Sequence, residues 1–507
     1  MGNKTKKKNG FPSAFTVLFI VLIFAAILTF IIPAGKYSTL VYDADNQVFV
    51  VTNPDESTLE LPATQATLDK LGINADLDKF LNGTIYKPMA VSGTYVQLPQ
   101  NGQGPLQVVQ SPILGIYDSI DIILFVFMIG GCIGIVNYLG AFNAGIAALA
   151  RVSKGREELI IVVVCSLIAL GGTTFGMAEE TIAFYPILIP IFLSAGYDAM
   201  VGIAAIYAGS SIGCMFSTVN AFSVVIASNA AGVSFKSGLV LRLIGLIIGL
   251  VLTLIYILRY AKRIKNDPTK SLIYADRDHI AAKFNVTEDT NHDDAPPLTF
   301  RYKLVLGLFF ITFVIMIAGV SSWDWWFDQM STLFLCSGII IGIVGGLNEK
   351  DIAREFVHGA SELIGVALII GVARAVNMIL ENGLISDTLL KTMSGWVDGM
   401  NPVLFILIMM VVFIILGFFI NSSSGLAVLS IPIMAPLADT VGLPREVVIS
   451  AYIYGLGLIG YITPTGLVLA SLELVDVTFD KWLKFITPLM GYLLVLGGVM
   501  LVVQIYM

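Results

Sequence analysis

Long apolar runs separated by short polar stretches dominate the chain. The runs Phe15 to Pro33, Leu239 to Leu258 and Phe485 to Val503 approach the roughly 20 helical residues that cross a hydrocarbon core of about 30 Å. Each predicts a spanning helix. Other runs are shorter. Leu159 to Leu170 and Thr181 to Leu193 are apolar for only 12 and 13 residues, a reach of about 18 to 20 Å. They predict a re-entrant helical hairpin over 159–193 with GGTTFGMAEE at its tip. Val201 to Met215 also stops short, interrupted at Phe216-Ser217-Thr218-Val219-Asn220, and resumes at Phe222, which predicts a broken helix over 201–231. In the second half, Leu404 to Ile420 and Leu426 to Leu437 flank Asn421-Ser422-Ser423-Ser424-Gly425 and predict a second hairpin over 404–437. A second broken helix, 447–474, is interrupted at Thr463-Pro464-Thr465-Gly466, where Pro464 lacks an N–H to continue the ladder.

These halves resemble each other. One shift of 246 places Pro186 on Pro432 and Pro190 on Pro436, a shift of 247 places Tyr207 on Tyr454 and Gly213 on Gly460, and a shift of 240 places Val136-Asn137 on Val376-Asn377. Landmarks in the same order predict an internal duplication. Basic residues set the orientation: Lys4, Lys6, Lys7 and Lys8, then Arg151, Lys154 and Arg156, then Arg259, Lys262, Arg263 and Lys265 are expected on the cytoplasmic side. The extra crossing Leu304 to Val320 changes the parity, Leu333 to Leu347 returns to Lys350 and Arg354, and Leu363 to Ile379 leads outward. The second hairpin then enters from the side opposite to the first, so the repeats are expected to be inverted.

The expected organisation is a cytoplasmic N-terminus and first helix (1–34), an external polar segment (35–112), a first membrane repeat (113–261), a cytoplasmic linker (262–301) and a second repeat (302–507). The first apolar run is longer than a signal h-region and lacks an A-x-A pattern, so it reads as a retained helix. Segment 35–112 carries eight acidic residues against Lys36, Lys70, Lys79 and Lys87. The linker contains the polar run EDTNHDDAPP.

Composition narrows the function classes. Of 507 residues 56% are hydrophobic and 13% charged, with a mean hydropathy of +0.86, which places the chain in lipid. The net charge of -7 follows topology and gives no basic surface for nucleic acid. Cys132, Cys165, Cys214 and Cys336 lie in apolar runs without CxxC spacing and read as small core residues. His279, His292 and His358 form no HExxH, and no GxxxxGK[ST] occurs. Neither a metal centre nor a nucleotide cofactor is expected, so transport would run on a gradient or on exchange. A channel or a membrane enzyme is the remote alternative, and the serines of NSSSG have no histidine near them in sequence.

The interruptions are where chemistry is expected. Breaking a helix in lipid frees backbone groups that cost several kcal/mol each if unpaired, so such breaks survive facing protein or a water-lined cavity. A half-helix N-terminus offers donors to a carboxylate, and exposed carbonyls suit a cation. The candidate solute-binding residues are Thr173, Thr174, Glu179, Glu180 and Thr181 in the first tip, Ser217, Thr218 and Asn220 in the first break, Asn421, Ser422, Ser423 and Ser424 in the second tip, and Thr463, Pro464 and Thr465 in the second break. Capping by Asn or Ser accounts for one residue of the second tip, back-bonding accounts for single hydroxyls, and the helix dipole favours one first-turn glutamate. Two adjacent carboxylates at membrane depth imply a cation: a coupling ion (sodium or a proton) or a positive part of the solute. Arg374, with Asn377 and Glu381 on nearly the same face, reads as a scaffold ion pair. Arg242 lies near a helix end and reads as snorkelling. Trp323, Trp325 and Trp326 mark an interface.

At the second tip and the Thr463 to Thr465 break the sequence resembles the C4-dicarboxylate anaerobic carrier family, most closely its YfcC-type branch, within the wider ion-transporter superfamily. The resemblance covers nearly the whole chain. It implies an all-α polytopic protein of a bacterial plasma (inner) membrane, with a moving transport domain and a static scaffold, the elevator-type arrangement, often in a homodimer. The first tip departs from the superfamily's hydroxyl and amide motif, since Met177-Ala178-Glu179-Glu180-Thr181 stands there. Two ionised glutamates would repel a dianion. Proteins similar to this branch include arginine/ornithine exchangers, so the expected solute is an amino acid, with basic amino acid exchange first and C4-dicarboxylate symport or exchange second.

Overall fold

The computed structural model describes residues 12–507 apart from 74, 84, 86, 143, 146, 147, 149–155, 285, 287–296, 324, 398 and 399. Lys4, Lys6, Lys7, Lys8, Arg151, Lys154, His292 and the acidic run of the linker lie outside the described residues. Ten described helices are long and apolar enough to cross a membrane, from Ala14–Ile31 to Phe479–Ile505. Their outer faces stay apolar. In Ala14–Ile31 the stripe Leu18, Leu22, Ala25, Ala26 and Thr29 is buried, while Ile20, Ile23, Phe24 and Ile27 are exposed, as expected where lipid is the solvent.

The class is helical and polytopic, but not purely helical as expected. Between the first two membrane helices the chain builds a small cap with six strands: β1 (Gly35–Lys36), β2 (Thr39–Asp43), β3 (Val48–Thr52), β4 (Thr58–Pro62), β5 (Met89–Ala90) and β6 (Val96–Gln97). One sheet has the order β4-β3-β2-β5, and β1 pairs with β6. The register Asp43↔Val48 to Thr39↔Thr52 closes a hairpin whose turn is held by Asp43 Oδ1, which accepts from the N–H groups of Asp45 and Asn46. Leu40 and Phe49 alternate inward and pack with Phe80, Leu68 and Met89. This period-2 signal is five residues long at most, and acidic neighbours obscured it. A helix then begins at Pro105.

Three of the helices at these tips are longer than the apolar runs that flag them. The stretch expected as the first hairpin contains Glu158–Phe175, a short tight-turn helix Glu179–Phe184 and Tyr185–Ser194. The second comprises Pro402–Phe419 and Ser423–Thr440. Three of these five helices have 18 residues, roughly 27 Å, whereas Glu179–Phe184 and Tyr185–Ser194 are too short to cross. Helix Glu158–Phe175 continues through Gly171, Gly172 and Thr173 because these face protein: a Cβ on Gly172 would lie 2.6 Å from the Ser210 carbonyl oxygen.

Helices Ile120–Tyr138, Phe327–Val344 and Glu349–Ser361 pack into a separate cluster with Phe300–Ser322, where Gly130 and Gly134 meet Gly359 backbone to backbone. The described part of the linker is tied to the membrane body: Lys283 pairs with Asp476 at 2.7 Å, Lys481 with Asp276, and Ser271 Oγ donates to Asp198 at 2.6 Å. Arg242 is not at the surface. It is fully buried, and its guanidinium donates to the carbonyls of Ser237 and Phe235 at 3.0 and 2.6 Å, closing the turn that opens its own helix. Cys336 is exposed rather than a core residue, whereas Cys132 and Cys165 are buried. Trp323 stacks on Trp325 and Trp326 packs on Phe222 and Phe327, with Trp323 and Trp326 exposed.

Candidate functional site

Each tip is hydrogen-bonded to the interruption of the broken helix in its own half. In the first half, helix Glu158–Phe175 ends on Gly176 at φ +76, a left-handed position that glycine occupies without strain. A Cβ there would lie 2.6 Å from Asn220 Nδ2. Thr173, buried, is the junction: its hydroxyl lies 3.1 Å from that of Thr218 and 3.2 Å from the Phe216 carbonyl, and it accepts from the Thr218 N–H at 3.0 Å. Asn220 caps the resumed helix by accepting from the Phe222 N–H at 2.8 Å. Ser210 Oγ donates to the Met177 carbonyl.

The helix before this break carries a π-turn at Ala204–Ala208, and the helix after it opens with another at Ala221–Val225. Such turns displace backbone groups from the regular ladder and recur at functional sites. Tyr207, on the first π-turn, donates to the Gly460 carbonyl at 2.7 Å, and Gly457 packs on Met215. The two broken helices therefore pack on each other along the segments that precede their interruptions.

In the second half, Asn421 Nδ2 donates to the Thr465 carbonyl at 3.1 Å. Ser422 caps helix Ser423–Thr440 by accepting from the Gly425 N–H at 3.1 Å. Tyr452 donates to the Ser423 carbonyl at 2.6 Å. The hydroxyls of Thr463 and Thr465 lie 3.1 Å apart and are buried, beside Pro464. Ser424 Oγ accepts from Lys87 Nζ of the cap at 2.7 Å.

The structure thus joins Thr173 to Thr218, Gly176 to Asn220, and Asn421 to Thr465. It assigns local roles to others. Thr174 donates to Leu170 one turn back at 2.7 Å, Ser217 to Cys214 at 2.8 Å, and Thr181 to Ala178 at 2.6 Å. Glu180 is buried and accepts from the Ala178 N–H at 3.1 Å. Among the described residues, no Lys, Arg or His makes an ion pair with Glu179 or Glu180. Arg374, read as part of a scaffold pair, bonds to Asp118 and lies 3.9 Å from Glu381. Sequence reasoning missed Lys87, Tyr207 and Tyr452. For Tyr207 a signal existed, its repeat-matched position; for Lys87, 337 residues from its partner, there was none. The described residues hold no cluster of three or more metal-ligating side chains.

The chain matches the family described as C4-dicarboxylate anaerobic carrier over residues 11–506. It is 49% identical over 503 residues to an "Uncharacterized protein" of Haemophilus influenzae, covering 99% of this chain and 98% of that one. It is 29% identical over 520 residues to the "Putative basic amino acid antiporter YfcC" of Escherichia coli, covering 99% and 97%. Two solved transporters overlay loosely. YdaH of Alcanivorax borkumensis does so at TM-score 0.37 and 16% identity over 97% of this chain and 98% of that one. MtrF of Neisseria gonorrhoeae, from a class of antimetabolite efflux pumps, does so at 0.38 and 15% over 98% and 96%. Overlays this loose assign no residue. Spanning helices, interrupted helices with polar tips and a match over nearly the whole length agree, and the chain belongs to the C4-dicarboxylate anaerobic carrier family of membrane transporters.

Proposed function

We propose that the chain is an elevator-type secondary transporter of amino acids, exchanging basic amino acids of the arginine/ornithine kind. The observation that carries this reading is the pair Glu179 and Glu180 at membrane depth, without an ion-paired cation among the described residues. Charges held there need a counter-charge, and a guanidinium or ammonium brought by the solute supplies one; sodium or a proton is the coupling ion on the alternative turnover. The first turn of helix Ser423–Thr440, with Ser422 to Ser424, offers donors suited to an α-carboxylate. The name of the Escherichia coli relative, "Putative basic amino acid antiporter YfcC", supports the same class.

In this reading the two hairpins enter the bilayer from opposite faces, so that 113–261 and 302–507 are inverted repeats. The cap lies outside, the N-terminus lies in the cytoplasm of a bacterium, and two copies pair through the cluster formed by Ile120–Tyr138, Phe300–Ser322 and Phe327–Val344. The family match favours a second reading, C4-dicarboxylate exchange, in which the glutamates are protonated or bind sodium. Purified protein in liposomes separates the two. Loaded with unlabelled arginine, it should accumulate labelled arginine or ornithine well above empty vesicles, whereas uptake of succinate without uptake of arginine overturns the amino-acid reading.

A further inference from the structure

The linker between the two halves does more than connect them. Over 267–283 it folds into two tight turns, Pro268–Lys270 and Tyr274–Asp276, and a short helix, Arg277–Lys283. Ile273 and Ile280 are each 1% exposed and belong to the same buried cluster as the broken helices. Polar contacts then fix it at two places. At the first, Ser271 Oγ and Tyr260 Oη of helix Leu239–Asn266 both donate to Asp198 Oδ2, at 2.6 and 2.7 Å. The other oxygen of Asp198 accepts from the Val201 N–H at 3.0 Å and so caps the first broken helix. At the second, Lys283 and His279 converge on Asp476 at 2.7 and 3.0 Å, and Lys283 also donates to the Glu473 carbonyl at 3.3 Å. These residues close the second broken helix, whose last piece is Val468–Glu473. Asp476 takes a φ of +54, which a residue other than glycine holds only where its surroundings fix it.

A third contact reaches further in. Asp276 pairs with Lys481 in the first turn of helix Phe479–Ile505. The next residue, Trp482, is fully buried. Its Nε1–H donates to the Tyr461 carbonyl at 2.9 Å, and its ring meets that of Tyr207 edge-on with centroids 5.7 Å apart. Tyr461 follows helix Arg445–Gly460 just ahead of the second interruption, and Tyr207 sits on the π-turn of the first broken helix. An indole packed on both sides passes a displacement of Lys481 to both broken helices at once, because close-packed interiors transmit strain.

We infer that Asp198, Asp276, Asp476 and Lys481 are positioning residues for transport: through the linker they tie the start of the first broken helix to the end of the second, so that the two move as one body. None of them is a candidate solute-binding residue. Loosening a tie therefore slows the conformational step and leaves solute affinity in place. The inference goes beyond the proposed function and rests on its premise of a moving body, whichever solute that body carries.

Full-length protein in liposomes is assayed with labelled arginine and labelled succinate, and the variants are read on whichever the parent accumulates. Lys481→Asp, which sets two acids against each other, should lower the maximal rate roughly tenfold and leave KM within about twofold of the parent. Asp276→Lys alone should do the same, and the two together, with the pair reversed, should recover most of the rate. Ser271→Ala, at the Asp198 tie, should lower the rate a few-fold with KM unmoved. Parental rates in Lys481→Asp and Ser271→Ala, or a reversed pair no faster than the single variants, overturn the positioning role. So does a KM that rises in step with the loss of rate, since that places the effect at the solute site. The choice between arginine and succinate is decided by the parent alone, so this inference and the amino-acid reading fail separately.

Discussion

The two hairpin tips have the same architecture and opposite chemistry. Both lie between two helices, both are hydrogen-bonded to a broken helix, and both are followed by a helix with two prolines four residues apart, Pro186 and Pro190 against Pro432 and Pro436. The first turns on a left-handed glycine and presents two carboxylates. The second turns without a left-handed residue, as the positive-φ positions of the chain omit 420–425, and presents an amide, three hydroxyls and a lysine delivered by the cap. The two tips thus share a backbone plan and differ in the side chains placed on it.

The backbone difference is the strongest place to break this comparison. Gly176→Ala forces a side chain into a left-handed position against Asn220 and should cost about 2–3 kcal/mol, with exchange lost. Gly425→Ala, in a helix first turn, meets only the Ser422 side chain and should change stability by less than about 1 kcal/mol. Thermal unfolding in nanodiscs gives both, and equal shifts would erase the distinction.

Hydroxyls that look alike in the first tip should also separate. Thr173→Val removes the hydroxyl that bonds both the Thr218 hydroxyl and the Thr218 N–H, leaving that N–H only the Thr173 carbonyl at 3.2 Å, and should cost about 1 kcal/mol. Thr174→Val loses only a back-bond to Leu170 and should cost under about 0.5 kcal/mol. The smallest effect belongs to the second tip's cap. Asp387, which accepts from the Tyr37 N–H at 2.8 Å, is pushed by burial up to about 6. A raised carboxyl favours the folded, docked state when protonated, so its contribution is complete below pH about 3.8 and is lost as pH rises through about 6. Limited proteolysis of the cap should therefore be slower at pH 5 than at pH 8, by a few-fold at most, and Asp387→Asn should flatten that profile.

Much of this was legible in the sequence. Apolar runs located the membrane helices, since lipid demands length and apolarity together, and the polar interruptions with repeat-matched prolines located both tips. Helix lengths were not legible, because Gly171 to Thr174 continue a helix by packing on protein, which apolarity cannot register. Nor was Arg242: a position near a helix end suits snorkelling equally well, and only the fold of 235–238 puts carbonyls around it. The strands of the cap were missed for a third reason. Short strands such as Gly35–Lys36 carry no periodicity, and the Lys87 contact depends on where the whole cap docks.

The account's central claim is that the first tip's carboxylates accept positive charge from solute or coupling ion. The double variant Glu179→Gln with Glu180→Gln, in liposomes preloaded with arginine and assayed with and without sodium and a pH gradient, tests it most directly. Arginine exchange should fall about a hundredfold or more, and any dependence on sodium or protons should disappear with it. Exchange at the parental rate, with the parental ion dependence, would contradict the claim and leave the pair as helix caps.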